Sequence, residues 1–455
     1  MESISKESDN SEEYEKFENM NRNHSVQSNE SNLANSRKRR LIKILFILIA
    51  LILLVVITIF IYLLFFKDNC ELGEEEKCLS CSDKKNECGS CNIGYKLISG
   101  KCIFYYSLEA IYHIDKSNET IQLINSDLLQ NKTLKMSIND KIVKPNLNYT
   151  FNSEGNYHIK ILVNLTDLES LHGMFNNINK IISITFTEEF NTSNINDMSY
   201  MFNNCFSLTS INLSQFDTKK VYEMDHMFSN CNSLKSIDLW NFKTNHLFNM
   251  DFMFYNCNSL NSVNISGFDV ENVIDMSYLF YNCYSLKYID INNLDTYNVI
   301  DMSNMFFNCS SLEIIDLNSF DTSSVIDMSN MFYNCISLRS LDLSNFVTSN
   351  LENAENMFKN CKSLSYLNVS KFKTEIIENI NCMFYNCSSL SSLDLSNFNI
   401  VNEVKMNYLF YYCSNLKYID ISNIKNISGS NNTLFGNIHD KGQIKVHISI
   451  IDIIK

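Results

Sequence analysis

From Cys205 onward a cysteine recurs every 26 residues: Cys205, Cys231, Cys257, Cys283, Cys309, Cys335, Cys361, Cys387 and Cys413. The step never slips. A fixed period of this size marks stacked supersecondary units, each too small to bury its apolar face alone. The full unit reads L-x-x-I-D-L-x-x-F-x-x-x-x-V-x-x-M-x-x-M-F-x-N-C-x-S. In one copy its apolar members are Leu312, Ile315, Leu317, Phe320, Val325, Met328, Met331, Phe332 and Cys335. The chain's 31 Phe and 18 Met need a buried place, and these positions supply one.

The first part of the unit alternates. Ile315 and Leu317 flank Asp316, so the two apolar side chains point in and the carboxylate points out, as in a strand. The second part spaces its apolar residues three or four apart, from Val325 to Leu338. That spacing predicts a short α or 3₁₀ turn, with Asp327 at its N-cap. Each coil is expected to run strand, corner, short helical turn, corner. Degenerate copies lacking Cys, at 174–186 and 433–450, read as caps and bring the total to about ten or eleven coils.

The repeat cysteines continue the apolar series, which makes them buried free thiols. Bridges between neighbouring coils are the alternative, although nine cysteines cannot pair completely. Cys382 differs. It takes a place held elsewhere by Asn304, Asn330 or Tyr278, is expected to face solvent, and is a candidate free thiol.

The unit SLxxIDLSxFDTSxVxDMSxMFxNC resembles the BspA-like leucine-rich-repeat surface proteins of bacteria and of anaerobic or parasitic protists. The resemblance covers roughly 174–440. It implies a leucine-rich-repeat solenoid of α/β-type coils with parallel inner strands, displayed on a cell surface, and a role in adhesion.

Upstream, the segment from Ile44 to Phe66 holds no charge and no helix breaker over 23 residues. At ~1.5 Å per residue it spans about 35 Å, enough for a bilayer core of about 30 Å. Arg37, Lys38, Arg39, Arg40 and Lys43 precede it, while Asp68, Glu71, Glu74, Glu75 and Glu76 follow. The positive-inside rule places the N-terminus in the cytoplasm and the C-terminal part outside. The expected organisation is a disordered cytoplasmic tail (1–40), a transmembrane signal anchor (41–66), a disulfide-rich stalk module (67–102), a small β-rich unit of three to five strands (103–170), and the capped solenoid (171–455). The expected location is the plasma membrane, single-pass, with the ectodomain extracellular.

The stalk module carries Cys70, Cys78, Cys81, Cys88, Cys91 and Cys102. Two C-x-x-C pairs fit a zinc site. An even count just outside a membrane, in a stretch too short for its own core, fits disulfides better. Its ending, CNIGYKLISGKC, resembles the furin-like or growth-factor-receptor-type cysteine-rich modules, through Cys91, Gly94, Tyr95, Leu97, Gly100 and Cys102. That resemblance implies a stalk.

Stacking turns each repeat position into a ladder. One row includes Asp290, Asp316 and Asp342, which serve either as an acidic stripe for a basic partner or as acceptors for nearby backbone. Beside it stand the variable positions Lys287, Tyr288, Arg339, Tyr366, Lys417 and Tyr418, of the residue types that dominate interfaces. They form the candidate ligand face. Asn118, Asn131, Asn148, Asn164 and Asn191 are candidate N-glycosylation sites.

The His residues show no metal spacing, and the chain holds no phosphate loop, nucleophile elbow or H-E-x-x-H motif. A net charge of -14 disfavours nucleic acid as a partner. The expectation is a non-enzymatic surface adhesion or recognition protein, without cofactor or metal, that binds an extracellular protein or a cell-surface or matrix ligand. A transmembrane signalling receptor and a self-associating surface coat are the alternatives.

Overall fold

The computed structural model describes residues 78–81, 88–91, 95–98, 101–104, 106–125, 133–163, 168–187, 190–400, 402–424 and 434–436. The tail (1–40) and the apolar segment (41–66) lie outside them. Among the described residues no helix is long and apolar enough to cross a membrane. The chain divides into two compact units, residues 1–93 with 97–102, and residues 94–96 with 103–455.

In the first unit β1 (Cys78–Cys81) and β2 (Cys88–Cys91) pair antiparallel. Their register sets Cys78 opposite Cys91 and Cys81 opposite Cys88. A second short ladder joins β3 (Tyr95–Ile98) to β4 (Lys101–Phe104).

The larger unit opens with β5 (Tyr106–Ile114), β6 (Glu119–Gln122), β7 (Thr133–Ile138), β8 (Lys141–Val143), β9 (Asn148–Phe151) and β10 (Gly155–Val163). These are six strands where three to five were expected. Ile159, Ile161 and Val163 on β10 are fully buried, as their period-two spacing requires. Asn139 and Asp140 both take positive φ in the two-residue turn between β7 and β8, the conformation that matches the twist of a tight hairpin. Next come β11 (Ile181–Phe186), the strand of the upstream cap, and β12 (Ser210–Asn212), the first repeat strand. One six-stranded sheet runs β12-β11-β5-β10-β7-β8, with β11 antiparallel to β5 and parallel to β12. The N-terminal strands therefore cover the open edge of the stack.

Beyond lies a parallel β-solenoid of nine cysteine-bearing coils. The upstream cap stacks beneath them, and the downstream copy is described only at 434–436. The remaining repeat strands are three-residue segments: β13 (Ser236–Asp238), β14 (Ser262–Asn264), β15 (Tyr288–Asp290), β16 (Ser340–Asp342), β17 (Tyr366–Asn368), β18 (Ser392–Asp394) and β19 (Tyr418–Asp420). Adjacent members pair in parallel at a 26-residue offset, for example Val263 with Ile289 and Leu341 with Leu367. The row is interrupted at 314–316, which forms no strand, and again between β12 and β13 and between β17 and β18.

The expectation of α/β-type coils is corrected. The half of each coil with three- and four-residue spacing is not helical. Asn304 and Asn308 have φ of 60° and 59°, and every coil repeats this pair of left-handed residues. A right-handed helix cannot pass through either. The chain instead makes successive tight turns, with Met305 N–H donating to Met302 C=O and Cys309 N–H to Phe306 C=O. Alternate amides leave the coil: Met302, Asn304, Phe306 and Asn308 donate to Asp327, Ser329, Met331 and Tyr333 of the next. Isolated parallel bridges run without a break from Ser170 through Asp301 and Asp327 to Lys405. This half therefore carries the continuous ladder, while the segments read as strands carry the interrupted one. Asp327 does cap, but it caps a turn: its Oδ1 accepts Ser329 N–H at 2.6 Å.

The core is built of columns. Phe202, Phe228, Phe254, Phe280, Phe306, Phe332, Phe358, Phe384 and Phe410 stack near-parallel, with ring centroids 5.2–5.8 Å apart. All are fully buried, as are the nine repeat cysteines.

Candidate binding surface

The three-residue strands aim every second side chain outward. In β15 Ile289 is buried while Tyr288 is 59% exposed. Tyr366 and Tyr418 hold the same place on β17 and β19, at 54% and 43% exposed. Lys287, Arg339 and Lys417, one residue earlier or beside them, are also exposed. The structure thus places all six variable positions on one strand-side row, where parallel pairing sets the spacing between coils. Arg339 meets Glu313 of the preceding coil at 3.1 Å. Both are largely exposed, so the pair contributes at most about 1 kcal/mol and leaves the guanidinium accessible.

The acidic row beside them is tied into the backbone. Oδ1 of Asp316 accepts Asn318 N–H at 3.0 Å, Oδ1 of Asp342 accepts Ser344 N–H at 2.9 Å, and Asp290 makes a longer contact of the same kind at 3.5 Å. These carboxylates shape the corner after the strand.

Two exposed features were not anticipated. Trp240, just after β13, is 59% exposed. Its carbonyl occupies the space where a Cβ at Gly267 of the next coil would lie, 1.8 Å away, so Gly267 fits where the equivalent positions Asn241 and Asn293 carry side chains. The second is an apolar column, Tyr222, Phe248, Ile274, Ile300 and Ile326, each 39–50% exposed. With Asn272, Asn298, Ser324 and Asn350 all of them but Tyr222 line an open groove of about 540 Å³. Glu352 and Glu378 end the column. Its signal in the sequence is one repeat position that holds large apolar residues just before the bridge ladder.

A further aromatic column, Tyr255, Tyr281, Phe307 and Tyr333, stacks at 4.5–4.9 Å. Lys359 takes the next place, its ammonium 5.5 Å from the Tyr333 ring and 5.1 Å from that of Tyr385. Cys382, nearby, is half-buried rather than fully solvent-facing. Asn304, at the equivalent place, is buried. Of the glycosylation candidates, Asn118, Asn148 and Asn191 are exposed, while Asn131 and Asn164 lie outside the described residues. Cys70 also lies outside them, and Cys102 falls on β4.

Three overlapping stretches, 166–288, 248–367 and 340–443, match the family described as "Mycoplasma protein of unknown function, DUF285". The chain belongs to this family. The DUF285 repeats coincide with the stacked coils and stop short of the apolar segment and the cysteine module. No curated protein matches. Among solved structures the chain is similar to one described as the crystal structure of a TLR13–ssRNA13 complex. The identity is 16% and the TM-score 0.22, over 54% of this chain and 41% of that one. The chain thus spans about two fifths of that protein's length.

Proposed function

We propose that this chain is a cell-surface recognition protein that binds a protein ligand on the strand-side row of its solenoid. The observation that carries this reading is the exposure of Tyr288, Tyr366 and Tyr418 at one register position of a rigid stack, with Lys287, Arg339 and Lys417 alongside. Large rings with long cations, held in place before binding, supply contact area at low entropic cost. The BspA-like resemblance of the repeat supports display at a surface, and the apolar stretch 44–66 with its basic N-terminal flank supports a single-pass anchor with the solenoid outside. In this reading the protein acts by binding and performs no chemistry on its partner.

The stalk module is read as disulfide-stapled. The β1–β2 register brings Cys78 opposite Cys91 and Cys81 opposite Cys88, the Cα partnering a disulfide needs. Peptide mapping without reduction is expected to return those two links together with Cys70–Cys102. Free thiols at Cys78, Cys81, Cys88 and Cys91 in the unreduced protein would overturn it.

The function is tested on whole cells that express the full chain with terminal epitope tags. The C-terminal tag should be accessible and the N-terminal tag accessible only after permeabilisation. Cells should adhere to a non-self cell or matrix surface, and the triple substitution Tyr288→Ala, Tyr366→Ala, Tyr418→Ala should cut that adhesion at least about tenfold, a loss of about 1.4 kcal/mol or more. Adhesion only between expressing cells would support a self-associating coat instead.

A further inference from the structure

Two residues past each bridge position comes a turn position that is a serine in four coils: Ser199, Ser277, Ser303 and Ser329. While later coils carry Glu355, Asn381 and Asn407 there, in two consecutive coils the position holds an acid, Asp225 and Asp251. The residue after it, asparagine at Asn304, Asn330 and Asn356, is His226 in the first of these coils. One ligand atom from each of Asp225, His226 and Asp251 lies within 4.8 Å of the other two.

The imidazole is fixed in orientation. Its faces are covered by Tyr200 at 4.5 Å and Phe252 at 4.7 Å, both stacked within 8° of parallel. Only the ring edge is free to act, and Nδ1 stands 3.3 Å from Asp225 Oδ2. Asp251 is unfavourably placed without a further partner: its Oδ1 is shut off from solvent and meets no hydrogen-bond donor. Its backbone N–H is already given to Asn249.

We propose that Asp225, His226 and Asp251 bind a divalent transition-metal ion of the zinc type, which links two neighbouring coils. The imidazole excludes the alkaline-earth ions, which take oxygen ligands throughout, and suits zinc and its neighbours. Zinc is held at ~2.0–2.2 Å by nitrogen and carboxylate oxygen, so the three atoms close by a fraction of their present separation. The ion gives the Asp251 carboxylate a partner and offsets the repulsion between two stacked carboxylates. Three protein ligands leave a fourth position open to water or to a side chain of a binding partner. The site stands independently of the strand-side row.

The test uses consensus-restoring variants of the full-length protein: Asp225→Ser, His226→Asn and Asp251→Ser. Each installs the residue that equivalent coils already carry, so the fold is retained, and circular dichroism checks it. Wild type and variants are equilibrated with zinc, dialysed, and assayed for bound metal. The stalk cysteines contribute equally to all four, so the difference isolates this cluster. Each variant should hold about one equivalent of zinc less than wild type, and the zinc-dependent rise in melting temperature should be lost. Equal zinc content in wild type, His226→Asn and Asp251→Ser overturns the proposal.

Discussion

Each repeat cysteine makes the same contact. Cys309 Sγ donates to Phe280 C=O of the preceding coil at 3.2 Å, and Cys335 does so to Phe306 at the same distance. The thiol is thus a small buried group with a weak donor that satisfies one carbonyl per coil. Burial pushes the Cys257 and Cys413 thiols up to about 12, and the other seven are raised as well. Reactivity follows the thiolate. Cys382 is raised by burial too, but Lys359 opposes this and the side chain is reached by solvent. Brief treatment of the native protein with a thiol reagent should therefore label Cys382 among the ten repeat-region cysteines, at least about tenfold faster than any other. Peptide mapping reads the result, and labelling of Cys309 or Cys335 at a comparable rate would mean the coils open readily. The inward placement of these cysteines was legible from their phase in the apolar series. Their carbonyl partners were not, because the acceptor lies in a neighbouring coil 29 residues back.

Within a coil, the elements explain why the helical reading failed. Apolar residues three or four apart satisfy a helix, and they equally satisfy successive tight turns, each of which reverses the chain in three or four residues. The discriminating signal was the asparagine at Asn304, Asn308, Asn330 and Asn334, four residues apart, since asparagine tolerates the left-handed conformation best after glycine. Those amides also join coil to coil, with Asn308 Nδ2 donating to Asn282 Oδ1 at 2.6 Å. The buried threonines were overlooked for a similar reason: Thr322 Oγ1 donates to Val347 C=O and accepts Val347 N–H, both across coils. The bridge ladder itself stacks Asp275, Asp301 and Asp327 in successive coils. Asp301 is raised by burial and by the two neighbouring carboxylates, against the lowering effect of Ser303. A raised folded-state value means the folded protein takes up this proton before the unfolded chain does. Its stabilising effect is complete below the ordinary carboxylate value of about 3.9 and is lost as pH rises through the folded value. Asp301→Asn removes the repulsion and keeps an oxygen for Ser303 N–H, as Asn353 does for Glu355. It should raise the melting temperature by about 1–2 °C at pH 7, with the gain vanishing near pH ~4. A gain of the same size at both pH values would assign the effect to something other than charge.

Across the whole molecule the period is the property most firmly legible in the sequence, because the bridge ladder and the Phe column recur from coil to coil. The N-terminal sheet was less so: β5 and β11 are more than 60 residues apart, and no local pattern announces their pairing. If the coils are exchangeable units, stability is close to a sum of coil and interface contributions, and removing one coil should subtract one share. Deleting residues 310–335 joins Cys309 to Ile336 and leaves every later residue at its old place in the unit. The Phe column, the bridge ladder and the Asn ladder close again with one rung missing. That variant should remain soluble, keep its circular dichroism per residue, and unfold cooperatively a few degrees lower, about 2–6 °C. Deleting only 310–322 shifts the following sequence by half a period. It aligns inward positions with outward ones at the junction, so the column of Phe306 and Phe332 cannot form. This shorter deletion should abolish cooperative unfolding although it removes half as many residues. Thermal melts followed by circular dichroism compare the two. Loss of folding in the longer deletion would show that the coils differ in ways the common repeat conceals, the two-acid segment around Asp225 and Asp251 being the first place to look.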